Sequence, residues 1–489
     1  MNAAASIDSQ SGSRAAHGTA KATSSTLVPK RAEGPCGVGA AACVEGSTRN
    51  TGDPSALPES GQGAPYQPSV KSAAAQRESE GSIVLSRPVA QNAGGGKGPG
   101  AAGVDKQTIA DMERLGVGEL LADLKAELQA GRYRPLAVRR RYIPQAGGKQ
   151  RPLGIPAVRD RIVQMATKLV IEPIFEADFK PCSHGFRPRR SATDALETLR
   201  KRAHRDQDGN FVLDADIKGY FDNIDPSVLL ELVGKRIRDR RLLKLLRQWL
   251  QAGVMEDGEV RRSTAGTPQG GVISPLLANI YLHVLDERWT REHAHLGTLV
   301  RYADDFVVMC DTAEAWEEAE RVVRGILESE LGLELPPEKT RRVELTEGKG
   351  GFDFLGCHLR KRMSGRRWEK YGRRRYSLQR WPSRSAMKQV RRRVRELTTR
   401  SWNRVKDVRD LIARINPVLR GWGNYFRTGN AADRFQVVDH YVWWRLWRFM
   451  KQRKGRNLKA DDSARFRHDF FWGHGLHRLL GTVHYPGAA

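Results

Sequence analysis

The chain has 489 residues, 39% hydrophobic and 28% charged, with a formal net charge of +27 and an isoelectric point near 10.2. That length allows two to four domains with a sizeable core, and that charge favours a polyanionic partner, nucleic acid first. A bilayer-spanning chain is excluded because no run of about 20 apolar residues occurs; the five cysteines form no C-x-x-C pair, which argues against a disulfide framework or a zinc ribbon.

Residues 1–95 are rich in Ala, Gly, Ser and Pro. Such a composition buries too little apolar surface to offset the entropy of ordering, so a disordered tail is expected. It shows neither a secretory signal nor an amphipathic organellar leader, and a reducing, cytoplasmic setting is expected. Order is expected from about Gly103. Ile109, Met112, Leu120, Leu121, Leu124 and Leu128 recur at helical spacing and predict a helix over 108–130. Tyr142-Ile143-Pro144 and Arg151 to Pro156 flank Gly147-Gly148, predicting two short strands around a turn. A long helix is expected over 159–179, a strand over 210–217 and a helix over 229–250. Ser274 reads as an N-cap with Pro275 at the first helical position, opening a helix to about Trp289. Residues 299–310 read as two apolar strands around a polar centre, 313–331 as a helix, and everything from about Arg384 as helical. The charge is unevenly placed: 34 of the 83 Lys and Arg, but only 9 of the 56 Asp and Glu, follow residue 356.

Tyr302-Ala303-Asp304-Asp305 places two adjacent carboxylates at the turn of an apolar hairpin. Like charges this close raise each other's pKa unless a cation relieves them, and Mg²⁺ is the hard ion that carboxylate oxygens suit. A solvated Asp-Asp turn is the plain alternative. Phe211-Val212-Leu213-Asp214-Ala215-Asp216 alternates, so Asp214 and Asp216 share one face of a strand. A carboxylate from that strand beside the hairpin would complete a two-metal site for phosphoryl transfer; surface strand residues are the alternative. Gly266-Thr267-Pro268-Gln269-Gly270-Gly271, just before a helix start, suits close approach of backbone to a ligand, or is a plain connector. Lys149 and Arg151 put cations on a hairpin, suited to phosphates or to solvent. Near the end, Arg391, Arg392, Arg393 and Arg395 crowd one helix, and the persistent excess of cations weighs towards phosphate contact. Trp368, Tyr371, Trp381 and Trp443 among these cations would stack on bases or pack in a helical core.

Taken in order, these stretches resemble the reverse transcriptase blocks of group II intron-encoded proteins over roughly residues 95–440. Gly103-Val104-Asp105, Arg141 to Pro156 and Ser183-His184-Gly185-Phe186-Arg187-Pro188 are similar to the N-terminal blocks. Asp216 to Asp222, Gly266 to Asn279, Tyr302 to Asp305, Leu333 to Thr340 with Lys339, and Phe352 to Gly356 are similar to the palm blocks. Arg414 to Arg427 is similar to the maturase block. The resemblance implies an α+β right-hand polymerase of fingers and palm over 96–360. A basic connector and an all-helical thumb and maturase domain would follow over 361–440, then a short basic DNA-binding-like tail over 441–489. It implies that Asp216, Asp304 and Asp305 bind two Mg²⁺ and catalyse, with dNTPs as substrates. Lys149 and Arg151 would contact the triphosphate, Gln269 the nucleotide pocket, and Phe221 would stand under the sugar and exclude a 2′-hydroxyl. Phe354-Leu355-Gly356 would be the primer grip, while Asp214 and Asp222 carry no metal role. Arg391, Arg392, Arg393, Arg395, Arg420 and Arg427 would bind RNA. The implied partners are the intron RNA, a template RNA and a DNA primer or target, with no membrane. No C-x-x-C pair follows Cys357, so the family's His-Asn-His endonuclease with paired cysteines is not expected here.

The expected function is therefore an RNA-directed DNA polymerase that also promotes splicing and mobility of its intron. Two alternatives stay open: a splicing-only RNA-binding maturase, and a related reverse transcriptase with a defence or diversification role.

Overall fold

A computed structural model of the chain describes residues 101–144, 150–204, 208–256, 259–261, 270–363, 375–399, 407–453 and 466–485, with Glu369, Gly372 and Val405. The expected tail, Lys149, Gln269, Trp368 and Tyr371 lie outside the described residues.

Two helices open the described chain, α1 (Ile109–Leu115) and α2 (Val117–Gln129), where one was expected. Gly116 separates them at φ +103°, a backbone conformation that other residues adopt only under strain. Strands β1 (Val138–Pro144) and β2 (Gln150–Ile155) form the expected antiparallel hairpin. Helices α3 (Val158–Glu176) and α4 (Ala192–Arg202) lead to β3 (Phe211–Asp216). The expected helix over 229–250 is again two, α5 (Pro226–Gly234) and α6 (Arg240–Gln251), because Asp239 starts a new helix by accepting from the Arg241 amide. Strands β4 (Val254–Glu256) and β5 (Glu259–Arg261) complete a first sheet of order β2-β1-β4-β5. Helix α7 (Ser274–Arg288) has Ser274 as its first helical residue and Ile273 at the cap, one position from the expected cap.

Strands β6 (Thr298–Tyr302) and β7 (Asp305–Cys310) form the expected hairpin, followed by α8 (Ala313–Arg324), a wider helical turn over Gly325–Glu330, and β8 (Thr340–Glu344). These strands and β3 build an antiparallel sheet of order β6-β7-β3-β8. Strands β9 (Phe352–Phe354), β10 (Cys357–Met363) and β11 (Tyr376–Pro382) form a third sheet. Sequence reading assigned no strand to β10 or β11, which pair with each other, and the helices begin at Arg384 as expected. Helices α9 (Arg384–Thr399), α10 (Val408–Phe426), α11 (Ala432–Arg453) and α12 (His468–Gly473) follow. Helix α11 runs unbroken across residue 440, where a boundary between domain and tail was expected. No helix among the described residues is long and apolar enough to cross a membrane.

The central sheet is covered on both faces, and alternation along its strands sorts residues between two cores. Leu213, Ala215, Phe306 and Val308 join a core with α3, α5, α6 and α7. Val212, Val300, Val307 and Met309 join a second core with α4, β9–β11 and all the C-terminal helices. Asp214, Asp216 and Asp305 keep step with Val212 and Val307, so they stand on the face that the second core covers only in part.

Candidate active site

Strands β3 and β7 are neighbours, and their register sets Asp216 directly opposite Asp305. Asp304 precedes Asp305 in the turn, where Ala303 takes φ +60°. Asp214 lies two residues back, between Val307 of β7 and Arg341 of β8. Two of the sequence-predicted aspartates, Asp216 and Asp305, thus stand at the adjoining ends of two adjacent strands, with Asp304 in the turn beside them. The electrostatics are those of a site short of positive charge. Burial, and then the carboxylates of Asp214, Asp216 and Asp304, push the Asp305 carboxyl up to about 8, with Lys339 opposing. Burial likewise lifts Asp214 to about 6, against the pull of Arg341. Lys339 Nζ lies 2.7 Å from Asp216 Oδ2 and neutralises one of the charges. Among the described residues no three His, Cys, Asp or Glu side chains form a ready metal-holding group. The chemistry of the donors still fits a hard divalent cation: carboxylate oxygens crowded on one face, with one ammonium too few to relieve them.

Phe221 sits in a short turn over Tyr220–Asp222 that follows Gly219 at φ +53°, and the residue is 7% exposed. It is therefore a core residue whose remaining edge is all that a ligand would meet. Arg151 lies on β2, where its backbone pairs with Ile143. Of the glycine-rich stretch, Gly270 is described: it takes φ +118°, and a Cβ there would lie 2.4 Å from the Gly154 carbonyl oxygen. The second palm stretch therefore presses against the strand that carries Arg151. The Gln164 side chain fastens it by accepting from the Val272 amide at 2.9 Å.

The Phe354-Leu355-Gly356 turn closes the β9–β10 hairpin. Phe354 is buried, while Leu355 (φ +49°) and Gly356 (φ +71°) turn the chain. Two bonds from the C-terminal half hold it: Tyr425 Oη donates to the Leu355 carbonyl at 2.9 Å, and the Ser383 amide donates to the Gly356 carbonyl at 3.0 Å. Sequence reading placed this turn but missed Tyr425, which lies about 70 residues downstream and carries no local signal.

The basic residues divide once they are placed. Arg392 and Arg393 lie within reach of Glu396, at 3.7 and 3.2 Å. Arg391, expected on the exposed side, is half-buried, lies over the Tyr441 ring and lines a cleft. Arg395, Arg420 and Arg427 are exposed. The cleft, about 770 Å³, opens between the third sheet and α9, and Arg341, Arg360, Arg384, Lys388, Arg391 and Arg434 line it. Beside the Phe354 turn it also meets His358, whose Nδ1 lies 2.6 Å from Asp353 Oδ1. Trp381 borders the cleft, whereas Trp443 donates to the Phe466 carbonyl and stacks on His468, which makes it a packing residue. The sequence signal for the cleft was present in the cations of 341–360, but only the fold brings them beside α9.

Two family models match the chain. The model described as "Reverse transcriptase (RNA-dependent DNA polymerase)" matches residues 143–359, and that described as "Group II intron, maturase-specific domain" matches residues 387–466. Protein YkfC of Escherichia coli K12 is 39% identical over 299 residues, 54% of this chain and 77% of YkfC. The group II intron-encoded protein LtrA of Lactococcus lactis subsp. cremoris is 31% identical over 337 residues, 56% of this chain and 55% of LtrA. An uncharacterized 91 kDa protein in the cob intron of Schizosaccharomyces pombe is 27% identical over 409 residues, 70% of this chain and 49% of its own length. The chain thus spans about half the length of the latter two. Among solved structures, the telomerase of Candida albicans aligns over 70% of this chain and 64% of that chain, with a TM-score of 0.39 and 12% identity.

Proposed function

The chain belongs to the group II intron-encoded reverse transcriptases, RNA-directed DNA polymerases joined to a maturase domain, and from that membership we propose that it binds its intron RNA, assists its splicing and copies it into DNA. The observation that carries the polymerase reading is the pairing of Asp216 with Asp305 across adjacent strands, beside Asp304 in the turn. In this reading the three carboxylates hold two Mg²⁺ ions, which when bound supply the charge that activates a primer 3′-hydroxyl and stabilises the leaving pyrophosphate. Lys339 holds the Asp216 carboxylate in place until then. Lys149, Arg151 and Gln269 contact the incoming dNTP, and Phe221 limits the space beneath its sugar. The Phe354–Gly356 turn supports the primer, and the C-terminal helices act as thumb and maturase domain. Arg391, Arg395, Arg420 and Arg427 contact RNA phosphates, as the excess of cations in that region supports; Arg392 and Arg393 do so only by giving up Glu396.

Extension of oligo(dT) on poly(rA) with dTTP and Mg²⁺ tests the polymerase reading. The wild type should extend the primer, and the Asp304→Asn/Asp305→Asn variant should not. Failure of both, with RNA binding retained, would leave a splicing cofactor without polymerase activity.

A further inference from the structure

The strand that leads into the catalytic turn carries a charge in its interior. Arg301 follows Val300 on β6 and is 0% exposed. An unpartnered guanidinium there would be strongly unfavourable because it would lose its hydration with nothing in return, so its partners decide what it does. Nε donates to Asp286 Oδ1 at 2.8 Å. Nη1 donates to Asn279 Oδ1 at 3.1 Å and to the Ala303 carbonyl at 2.9 Å. Nη2 donates to Ser183 Oγ at 2.8 Å and to Asp286 Oδ2. Every one of the guanidinium N–H donors is used.

These acceptors come from separate parts of the chain, and each is tied to another. Asn279 and Asp286 lie on α7. Ser183 lies in a segment that runs parallel to β6: the Arg301 amide donates to the Cys182 carbonyl at 2.8 Å, and the His184 amide donates to the Arg301 carbonyl at 2.9 Å. Asn279 Nδ2 closes the ring by donating to the Gly185 carbonyl at 2.8 Å. Gly185 is pressed against the turn itself, since a Cβ there would lie 2.3 Å from the Ala303 amide nitrogen. Ala303, between Tyr302 and Asp304, holds φ +60°, a left-handed conformation that is strained for a non-glycine residue. Its carbonyl is drawn inward by Arg301, and because the peptide unit is planar, that fixes the plane from which Asp304 departs. Well-packed apolar residues often replace a buried ion pair without loss of stability. What they would not supply is five directional bonds that tie α7 and the Ser183 segment to the Ala303 carbonyl of the turn.

We propose that Arg301 is a positioning residue for nucleotidyl transfer: with Asp286, Asn279 and Ser183 it sets the left-handed turn that aims Asp304 and Asp305. It touches neither substrate nor metal and acts through the Ala303 peptide. Sites of this kind tolerate displacements of only about 0.5 Å, and a displacement of about 1 Å costs on the order of 100-fold in rate. The rate and Mg²⁺ readouts rest on the polymerase reading; the exchange readout does not.

The test uses the full-length protein with Arg301→Lys, which keeps a charge beside Asp286 but loses the fork, and with Ser183→Ala, a milder change that leaves the ion pair whole. Amide exchange by mass spectrometry is followed without metal over residues 299–306, Mg²⁺ affinity by calorimetry, and kcat with primer–template Kd by extension. Arg301→Lys should speed exchange at the turn while β3 and α7 keep their protection. It should also weaken Mg²⁺ binding about tenfold and lower kcat about 100-fold, with primer–template Kd within about twofold. Ser183→Ala should show the same pattern at smaller amplitude. Unchanged exchange and Mg²⁺ affinity in a folded Arg301→Lys protein would overturn the proposal. So would protection lost evenly across the sheet, or an unaltered Ser183→Ala protein should Arg301→Lys not fold. A wild type that extends no primer would refute the polymerase reading instead, and exchange at the turn would still judge Arg301.

Discussion

Two aspartates face each other across β3 and β7, and one of them is largely shut off from water. Asp305 ionises at about 8 in the fold against 3.8 for a free side chain. Between those values the folded chain holds a proton that the unfolded chain has released, so stability falls as pH rises. The metal-free protein should therefore melt at a lower temperature at about pH 8 than at about pH 5, and Asp305→Asn should flatten the difference in a thermal scan. Added Mg²⁺ should restore the wild type at the higher pH, because it binds the folded form only. A second expectation concerns Phe221. Replacing it by Ala should raise the ratio of ribonucleotide to deoxyribonucleotide incorporation, and because the ring is also core, it should cost about 3–5 kcal/mol of stability. The ratio of the two kcat/KM values is unaffected by a smaller folded fraction, so competition between dTTP and UTP separates the effects. Residue type and strand alternation put Asp214 and Asp216 on one strand face and Asp304 and Asp305 at a hairpin turn, but only the family resemblance singled out Asp216 over Asp214. Arg301 was not legible, although a charged residue inside an apolar strand covered on both faces is itself a sign that partners exist.

Elements were legible where one period ran undisturbed, and obscured where another force cut across it. The helices over 108–130 and 229–250 have continuous apolar stripes, but Gly116 and the cap at Asp239 divide them. Strands β10 and β11 were missed because cations occupy their inward positions. On β10, Cys357, Leu359 and Lys361 alternate as the buried set, and Lys361 is tolerated only because its ammonium reaches Asn210 Oδ1 at 2.6 Å and the Asp208 carbonyl at 2.7 Å. The β9–β10 turn shows how distant elements finish a site that sequence places only in outline. Tyr425→Phe removes one bond to the Leu355 carbonyl and should cost about 1 kcal/mol of stability. If that turn supports the primer, primer–template affinity should weaken severalfold with dNTP KM unchanged, as a filter-binding titration beside steady-state kinetics would show.

At the scale of the molecule, the second core joins Val212, Val307 and Met309 of the central sheet to Leu359 of β10, Val390 of α9, Leu411 of α10 and Leu446 of α11. The sequence reads as a balanced domain followed by a basic one, because charge reports on surfaces and says nothing of which apolar faces meet. A chain ending at Pro382 would leave Leu359, Phe352 and the back of the central sheet without cover. Such a fragment should aggregate or show no cooperative melt by circular dichroism, even though it keeps every predicted catalytic aspartate. Continuous packing through α11 also means that a cut at 440 severs a helix instead of removing an appendage.

That shared core bears on how such a protein can change through descent. A descendant that no longer had an intron to splice would still need the maturase helices to keep its polymerase sheet folded. Loss of the RNA task would thus erode the exposed arginines first, leaving Val390, Leu411 and Leu446 under selection, and a retired maturase domain would survive as scaffolding.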